Sequence, residues 1–276
     1  MKLQGSEDHV FWMRRALILA AKGEGRTRPN PPVGAVLVRA GKVIGEGYHR
    51  KAGGPHAEVV ALRGLPLRQT RGATLYVTLE PCSTHGRTPP CVDAILAAGI
   101  AEVVVSVKDP NPKHAGRGLR LLRKHGVRVI AGVCQEEGAA LLAPFAKWVT
   151  TGQPFVTLKM GMTLDGRIGD ARKHSRWITG PAARREVQDL RKRVDAVLVG
   201  AGTVAADNPS LLVQSRKTGQ PLRVILDGSG RIPLHAKVLG DRYPTIIVVT
   251  DCCSAKRCAQ LAKPHVQVWS CGSGSR

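Results

Sequence analysis

Aromatic residues are scarce in this sequence: three Phe, three Tyr and four Trp make up 4% of 276 residues. A surface that grips single-stranded nucleic acid by stacking bases on rings is poorly supplied by that complement. Acidic residues are also few, 20 Asp and Glu against 42 Lys and Arg, for a formal net charge of +22. The imbalance makes a polyanion or a phosphorylated small molecule a natural partner and says nothing of fold. It is not gathered into a tail: Arg117, Arg120, Arg123, Lys124 and Arg128 recur along one expected helix and its exit, where a solvated surface is the alternative reading. No apolar run approaches the ~20 residues that a membrane span needs. Glu7, Asp8, Arg14 and Arg15 interrupt the N-terminal run, so no signal peptide is expected. Cysteines stand at 82, 91, 134, 252, 253, 258 and 271, an odd number at irregular spacings. That excludes a disulfide framework and favours a reducing, cytoplasmic setting. Cys252, Cys253, Cys258, His265 and Cys271 fit no common metal-ligand spacing.

What is present is a concentration of chemistry between His56 and Cys91. His56-Ala57-Glu58 is followed by the strand-like Thr74–Leu79, then by Glu80-Pro81-Cys82 and, nine residues on, Pro90-Cys91. One imidazole and two thiolates suit zinc and leave a fourth position for water, with Glu58 close enough to handle its protons without being a ligand. His-x-Glu followed by Pro-Cys and a second cysteine is the order found in zinc deaminases of bases. The second cysteine is displaced here by Ser83–Pro90, so the match is to a variant. A structural zinc closed by His85, which lies between the cysteines, is the competing reading.

The chain reads as α/β throughout. A helix capped by Asp8 runs to about Lys22 and is stopped by Arg28-Pro29-Asn30-Pro31-Pro32. Strands are expected at 33–38, 43–48, 74–79, 102–107 and 127–131, and helices from His56 to Arg63, from Cys91, over 116–125 and over 135–150. Thr151-Gly152-Gln153-Pro154 marks a boundary, giving domains 1–151 and 152–276. The second begins with a strand at Phe155–Met160 and a helix from Pro181 to Arg193. Further strands fall at 196–199, 222–226, 245–250 and 266–269, with a helix at 254–263. Gly200-x-Gly202-x-x-Ala205 reads as a phosphate-cradling turn, with Asp227 ending the next strand. A Rossmann fingerprint and a nucleotide site in another α/β architecture both remain open.

Taken together, these runs resemble the bifunctional riboflavin-biosynthesis deaminase/reductase family over essentially the whole chain. The resemblance rests on Pro29-Asn30-Pro31, Val33-Gly34-Ala35-Val36, Gly45–His49, His56-Ala57-Glu58, Leu79–Cys82 through Gly86–Cys91, and Asp109-Pro110-Asn111-Pro112. In the second half it rests on Leu158-Lys159, Leu164-Asp165-Gly166, Trp177-Ile178-Thr179 and Asp207-Asn208-Pro209. It implies a cytidine-deaminase-like three-layer α/β/α domain, then a dihydrofolate-reductase-like α/β domain. The reactions implied are zinc-dependent deamination of 2,5-diamino-6-ribosylamino-pyrimidinone 5′-phosphate, then NADPH-dependent reduction of ribosyl to ribityl.

The resemblance implies catalysis by Glu58, zinc on His56, Cys82 and Cys91, and a base pocket lined by Asn30 and His49. Arg87, Asp109 and Asn111 are implied to hold the ribose phosphate, with an exposed loop charge as the other reading of Arg87. In the reductase part it implies Gly161, Trp177, Thr203 and Asp207 at NADPH and Ser175, Arg191 and Leu211 near substrate. Trp177 as core and Arg191 as a solvated charge are their alternatives. Three departures stand out. Leu211-Leu212-Val213-Gln214 replaces Leu-Thr-x-Arg, Thr84-His85 replaces histidine followed by an aromatic, and the sequence stops before the family's Glu-Gly-Gly segment. A second domain incomplete at its C-terminus is therefore expected, either impaired as a reductase or serving association into a homo-oligomer. The partner expected is a phosphorylated pyrimidine, not a specific nucleic acid or a membrane. A nucleic-acid base deaminase and a non-catalytic basic module with structural zinc are the rival functions.

Overall fold

The computed structural model describes residues 4–86, 88–170, 177–214 and 219–272. The chain divides into two compact units, Met1–Thr157 and Leu158–Arg276.

In the first unit the elements are α1 (Gln4–Ala21), β1 (Gly34–Arg39), β2 (Lys42–Tyr48), α2 (Ala57–Leu62) and α3 (Leu67–Thr70). They are followed by β3 (Thr74–Leu79), α4 (Cys91–Ala97), β4 (Glu102–Val107), α5 (Arg117–Lys124), β5 (Arg128–Ala131) and α6 (Gln135–Thr151). The five-stranded sheet has the order β2-β1-β3-β4-β5. β1 is antiparallel to both neighbours, and β3, β4 and β5 are parallel. Alternation along each strand sorts side chains onto two faces. Ala35, Leu37, Leu75, Val77, Val103 and Val105 pack with Ala57, Ala61, Val92, Ile95, Leu119 and Leu122 on one side. Val36, Val38, Tyr76 and Val104 pack with Met13, Ala16, Leu17 and Leu141 on the other. The result is helix, sheet, helix in three layers. α2 lies so close on β2 that a Cβ at Gly45 would strike the Ala61 carbonyl, and this contact sets where His56 enters.

In the second unit, α7 (Pro181–Arg193), β6 (Ala196–Gly200), α8 (Ala201–Asp207) and β7 (Leu222–Leu226) are followed by α9 (Lys237–Gly240), β8 (Thr245–Val249), α10 (Ala255–Leu261) and β9 (Val266–Ser270). Its four-stranded sheet runs β6-β7-β8-β9, with every pair parallel. Val204, Leu211, Ile225, Ile232, Leu239, Ile247 and Leu261 form the core. Arg223 is 0% exposed there, its guanidinium bidentate to Asp241 at 2.8 and 2.6 Å and also donating to the Tyr243 carbonyl at 2.7 Å.

Two expectations need correction. The strand expected at Phe155–Met160 does not form, and Leu158 is 80% exposed. The alternating apolar pattern is there, but a strand also needs a neighbour for its backbone groups, and the described ladders supply none at this run. The glycine turn at 200–205 leads from β6 directly into α8, with Gly200 extended at φ −79° and open space around Gly200 and Gly202, but the Rossmann reading of Asp227 does not hold. Asp227 is buried and spends both oxygens on the amides of Arg231 and Ile232 in its own loop, at 2.8 and 2.9 Å. A carboxylate so used is not the ribose reader of a Rossmann fingerprint. Among the described residues no helix is long and apolar enough to cross a membrane.

Candidate active site

Three elements deliver the zinc-type donors. His56 is the N-cap of α2, Cys82 follows β3, and Cys91 is the first residue of α4 behind Pro90. His56 Nδ1 lies 3.1 Å from Cys91 Sγ and 3.6 Å from Cys82 Sγ, and the three donor atoms all fall within 4.8 Å of one another. Tetrahedral zinc with bonds of about 2.1 Å to nitrogen and 2.3 Å to sulfur spaces its donors roughly 3.5 Å apart, so this set fits the ion. Among the described residues no other group of three His, Cys, Asp or Glu side chains converges this way. His85, the rival fourth ligand, is exposed and outside the group.

The two thiols shift one another's proton affinity in opposite directions. A hydrogen bond from the Cys91 thiol, opposed by burial and helped by His56, brings Cys82 down to about 4. The same pairing and burial push Cys91 up. Glu58, one residue into α2 from the cap, is 3% exposed, and burial raises its carboxyl to about 7. A carboxyl in that range can both take and give a proton near neutral pH.

These groups open onto a cavity of about 440 Å³, within the ordinary range for small-molecule sites. Asn30, His49, Asp109 and Asn111 all lie on its wall together with His56, Glu58 and Cys82. His49 sits edge-on to His56 with ring centroids 5.4 Å apart. Its Nδ1 is 3.0 Å from the Pro55 carbonyl, which can only accept, so that nitrogen carries the proton and Nε2 accepts from Asn30 Nδ2 at 3.0 Å. Burial lowers the His49 pKa, keeping the ring neutral. Arg87 lies outside the described residues.

Among the wall residues with no role assigned from sequence are Glu80, Thr88, His114 and Phe145. Thr88 Oγ1 is 3.4 Å from His56 Nε2, and His114 Nδ1 is 3.5 Å from Thr84 Oγ1. Phe145 comes from α6, far along the chain, where its rarity as an aromatic was the one available signal.

The residues expected at the reductase site are distributed over several elements. Gly161 lies against Thr179, and Trp177 is 71% exposed with the Arg184 guanidinium 4.2 Å above its ring. Thr203 is exposed in α8 and Asp207 is its last residue. Arg191, half-buried in α7, donates to the Leu212 carbonyl at 3.3 Å, so it is not simply a solvated charge. Leu211, expected near substrate, has its side chain 3% exposed within the core, at φ +59°. An apolar side chain gains more from that core than from a polar wall. Ser175 lies outside the described residues. Gln214, where the resemblance leads one to expect arginine, takes the Gln188 side-chain oxygen on its amide at 3.0 Å. Cys253 and Cys258 lie 3.3 Å apart at sulfur, without a third ligand among the described residues.

Comparison with known proteins assigns both halves. Residues 6–107 match the cytidine and deoxycytidylate deaminase zinc-binding region, and residues 154–272 match the RibD C-terminal domain. The riboflavin biosynthesis protein RibD of Aquifex aeolicus is 49% identical over 93% of this chain and 72% of its own length. That of Escherichia coli is 48% identical over 82% of this chain, which spans 65% of it. Among solved structures, a diaminohydroxyphosphoribosylaminopyrimidine deaminase/5-amino-6-(5-phosphoribosylamino)uracil reductase from Thermotoga maritima superposes with a TM-score of 0.85. It is 43% identical, and the match covers 96% of this chain and 74% of that one. The fold class expected for each half, deaminase-like and then dihydrofolate-reductase-like, is thereby borne out.

Proposed function

This chain belongs to the RibD family of riboflavin biosynthesis proteins, and from that membership we propose that residues 1–151 deaminate 2,5-diamino-6-ribosylamino-pyrimidinone 5′-phosphate. Residues 152–276 form the reductase part, which acts on the deaminated product with NADPH. The observation that carries the reading is the buried Glu58 carboxyl beside a converged His56, Cys82 and Cys91 set, in one cavity with Asn30, His49, Asp109 and Asn111.

Zinc, held by His56, Cys82 and Cys91, supplies Lewis-acid activation of water when bound. Glu58 takes a proton as water adds to the ring carbon bearing the amino group and passes it to the departing ammonia, so the carbon exchanges C–N for C–O. Neutral His49, locked by Pro55, holds Asn30 against the base side of the cavity. Asp109 and Asn111, which line the cavity, are the candidates to hold the ribose phosphate, with Arg87 as its cationic partner.

For the second half, NADPH supplies the reducing equivalents when bound. The exposed Trp177 ring and the Thr203 hydroxyl are surfaces that fit a nucleotide, with Asp207 on the helix of Thr203 and Gly161 against Thr179, two residues after Trp177. Arg191, Ser175 and Leu211 are the substrate candidates, with the Leu211 side chain packed in the core.

The rival readings have less support. Phe145 is the only Phe, Tyr or Trp among the described lining residues, a thin platform for nucleic acid. A three-donor set with a buried carboxyl beside it suits chemistry better than a closed structural zinc.

The test is mass spectrometry of products after incubation with the diaminopyrimidine ribosylamine phosphate, zinc and NADPH. The expected result is loss of ammonia, followed by gain of two hydrogens. Unchanged substrate from folded, zinc-loaded protein sinks the deaminase reading. A deaminated product that is never reduced sinks the reductase half alone.

A further inference from the structure

We infer that Glu80 is a positioning residue of the deamination site: its buried carboxylate clasps the loop that carries Asp109, Asn111 and His114 to the strand end that carries Cys82. The inference rests on the deaminase reading of the cavity and adds to it a side chain with a holding task.

Glu80 directly follows β3, and its amide still pairs with the Val107 carbonyl of β4 at 2.9 Å. The residue is 5% exposed. A carboxylate so deep in a protein is costly unless its lone pairs are met. They are met by four backbone amides. Oε2 accepts from Asp109 at 3.1 Å and Gly116 at 2.8 Å, and Oε1 accepts from Gly118 at 2.9 Å and Leu119 at 3.4 Å. The first two donors are the start and the end of the loop between β4 and α5, so one oxygen atom draws both ends together. The other two lie in the first turn of α5, where orphan amides and the helix dipole favour an anion.

The sequence around the carboxylate is shaped for this contact. A Cβ at Gly118 would strike the Pro81 carbonyl, and Gly116 sits at φ +75°, which glycine adopts without strain. Between these anchors the loop is stiffened internally. Asp109 Oδ1 takes the Asn111 amide at 2.8 Å, and Asn111 Oδ1 takes the Lys113 amide at 3.1 Å. Asp109, Asn111 and His114 all line the cavity. Glu80 therefore fixes one wall relative to Cys82, two residues further along the chain. A wall that is no longer held relative to Cys82 must be ordered when substrate binds, and that cost falls on KM.

Glu80→Gln tests this, because the isosteric amide keeps one acceptor and turns an NH2 group toward amides that can only donate. Charge-assisted bonds of this kind are worth about 1.5–3 kcal/mol, so KM for the diaminopyrimidine ribosylamine phosphate should rise about tenfold or more. The zinc-to-protein ratio should be unchanged and kcat should move less than about threefold, since Glu58 and the donor set are untouched. Deuterium exchange at the Asp109, Gly116 and Gly118 amides should quicken by a similar factor. An active variant with the parent's KM, or a lowered melting temperature with unchanged KM, overturns the inference. So does unchanged exchange at those amides, a readout that holds even if the parent releases no ammonia and the deaminase reading itself has failed. Should Glu80→Gln not fold, Gly116→Ala keeps the carboxylate and strains one clasping amide, its Cβ meeting the flexible end of Lys108. It should raise KM in the same direction by less, and an unchanged KM there overturns the inference too.

Discussion

Residues 1–157 and 158–276 hold their expected chemistry in opposite ways. In the first unit, a helix cap, a strand exit and a helix start bring His56, Cys82 and Cys91 within 4.8 Å, beside a Glu58 that is 3% exposed. In the second, the candidate contacts ride on open elements: α7 has no buried residue, Trp177 is 71% exposed, and Leu198 on β6 is 58% exposed. The contrast shows what a layer of helices on each face of a sheet provides. It dries the site, and a dried carboxyl such as Glu58 has its proton affinity moved toward neutrality. In the second unit the sheet is also parallel, but Leu198, Leu226 and Trp269 along its strands still face water.

The contrast can be broken or sharpened by experiment. Stripping zinc with a chelator should abolish ammonia release and leave the unfolding of the second unit unmoved, with activity returning on zinc addition; calorimetry with an ammonia assay checks both. Persistent turnover without metal would break the contrast at its strongest point. Next, Glu58→Gln should slow deamination about 10³-fold while metal analysis finds zinc retained. A protein that loses both would show Glu58 to be part of the scaffold. Third, Asp241→Ala leaves the fully buried Arg223 charge without its carboxylate and should cost the second unit about 3 kcal/mol, read by urea denaturation. Deamination should be unaffected.

A smaller effect follows from the same pair. Burial alone would raise the Asp241 pKa, but the Arg223 guanidinium and the Tyr243 amide outweigh it and hold the group below its ordinary 3.8. The unfolded chain then binds more protons in that range. The pair's contribution is present above about pH 4 and lost as pH falls through the lower folded value. Asp241→Asn should flatten this acid loss in a pH series of melting temperatures. Smallest of all, Trp177→Ala should change stability by less than about 1 kcal/mol, since it removes an exposed ring stacked with Arg184. Its effect should appear in NADPH affinity, and a large loss of stability would mean that the ring is core after all.

Much of the first unit was legible because its signals are local. His-x-Glu ahead of a buried strand, Pro-Cys at that strand's end and Pro-Cys at a helix start each put a donor at a terminus, where a side chain can face a shared cavity. Alternation in β1, β3 and β4 announced two buried faces. The same local logic misled at Phe155–Met160, where pattern was present and a partner strand was not.

By itself the sequence determined the donor types, their order and the α/β alternation, since these depend on residue chemistry and on neighbours a few positions apart. Only the tertiary structure decided that Phe145 from α6 and His114 from the β4–α5 loop share a cavity with Asn30. It also decided that Glu80 spends its charge on backbone amides 29 to 39 residues away. Those choices depend on which distant groups a closed core leaves to satisfy one another, and no short-range pattern records them.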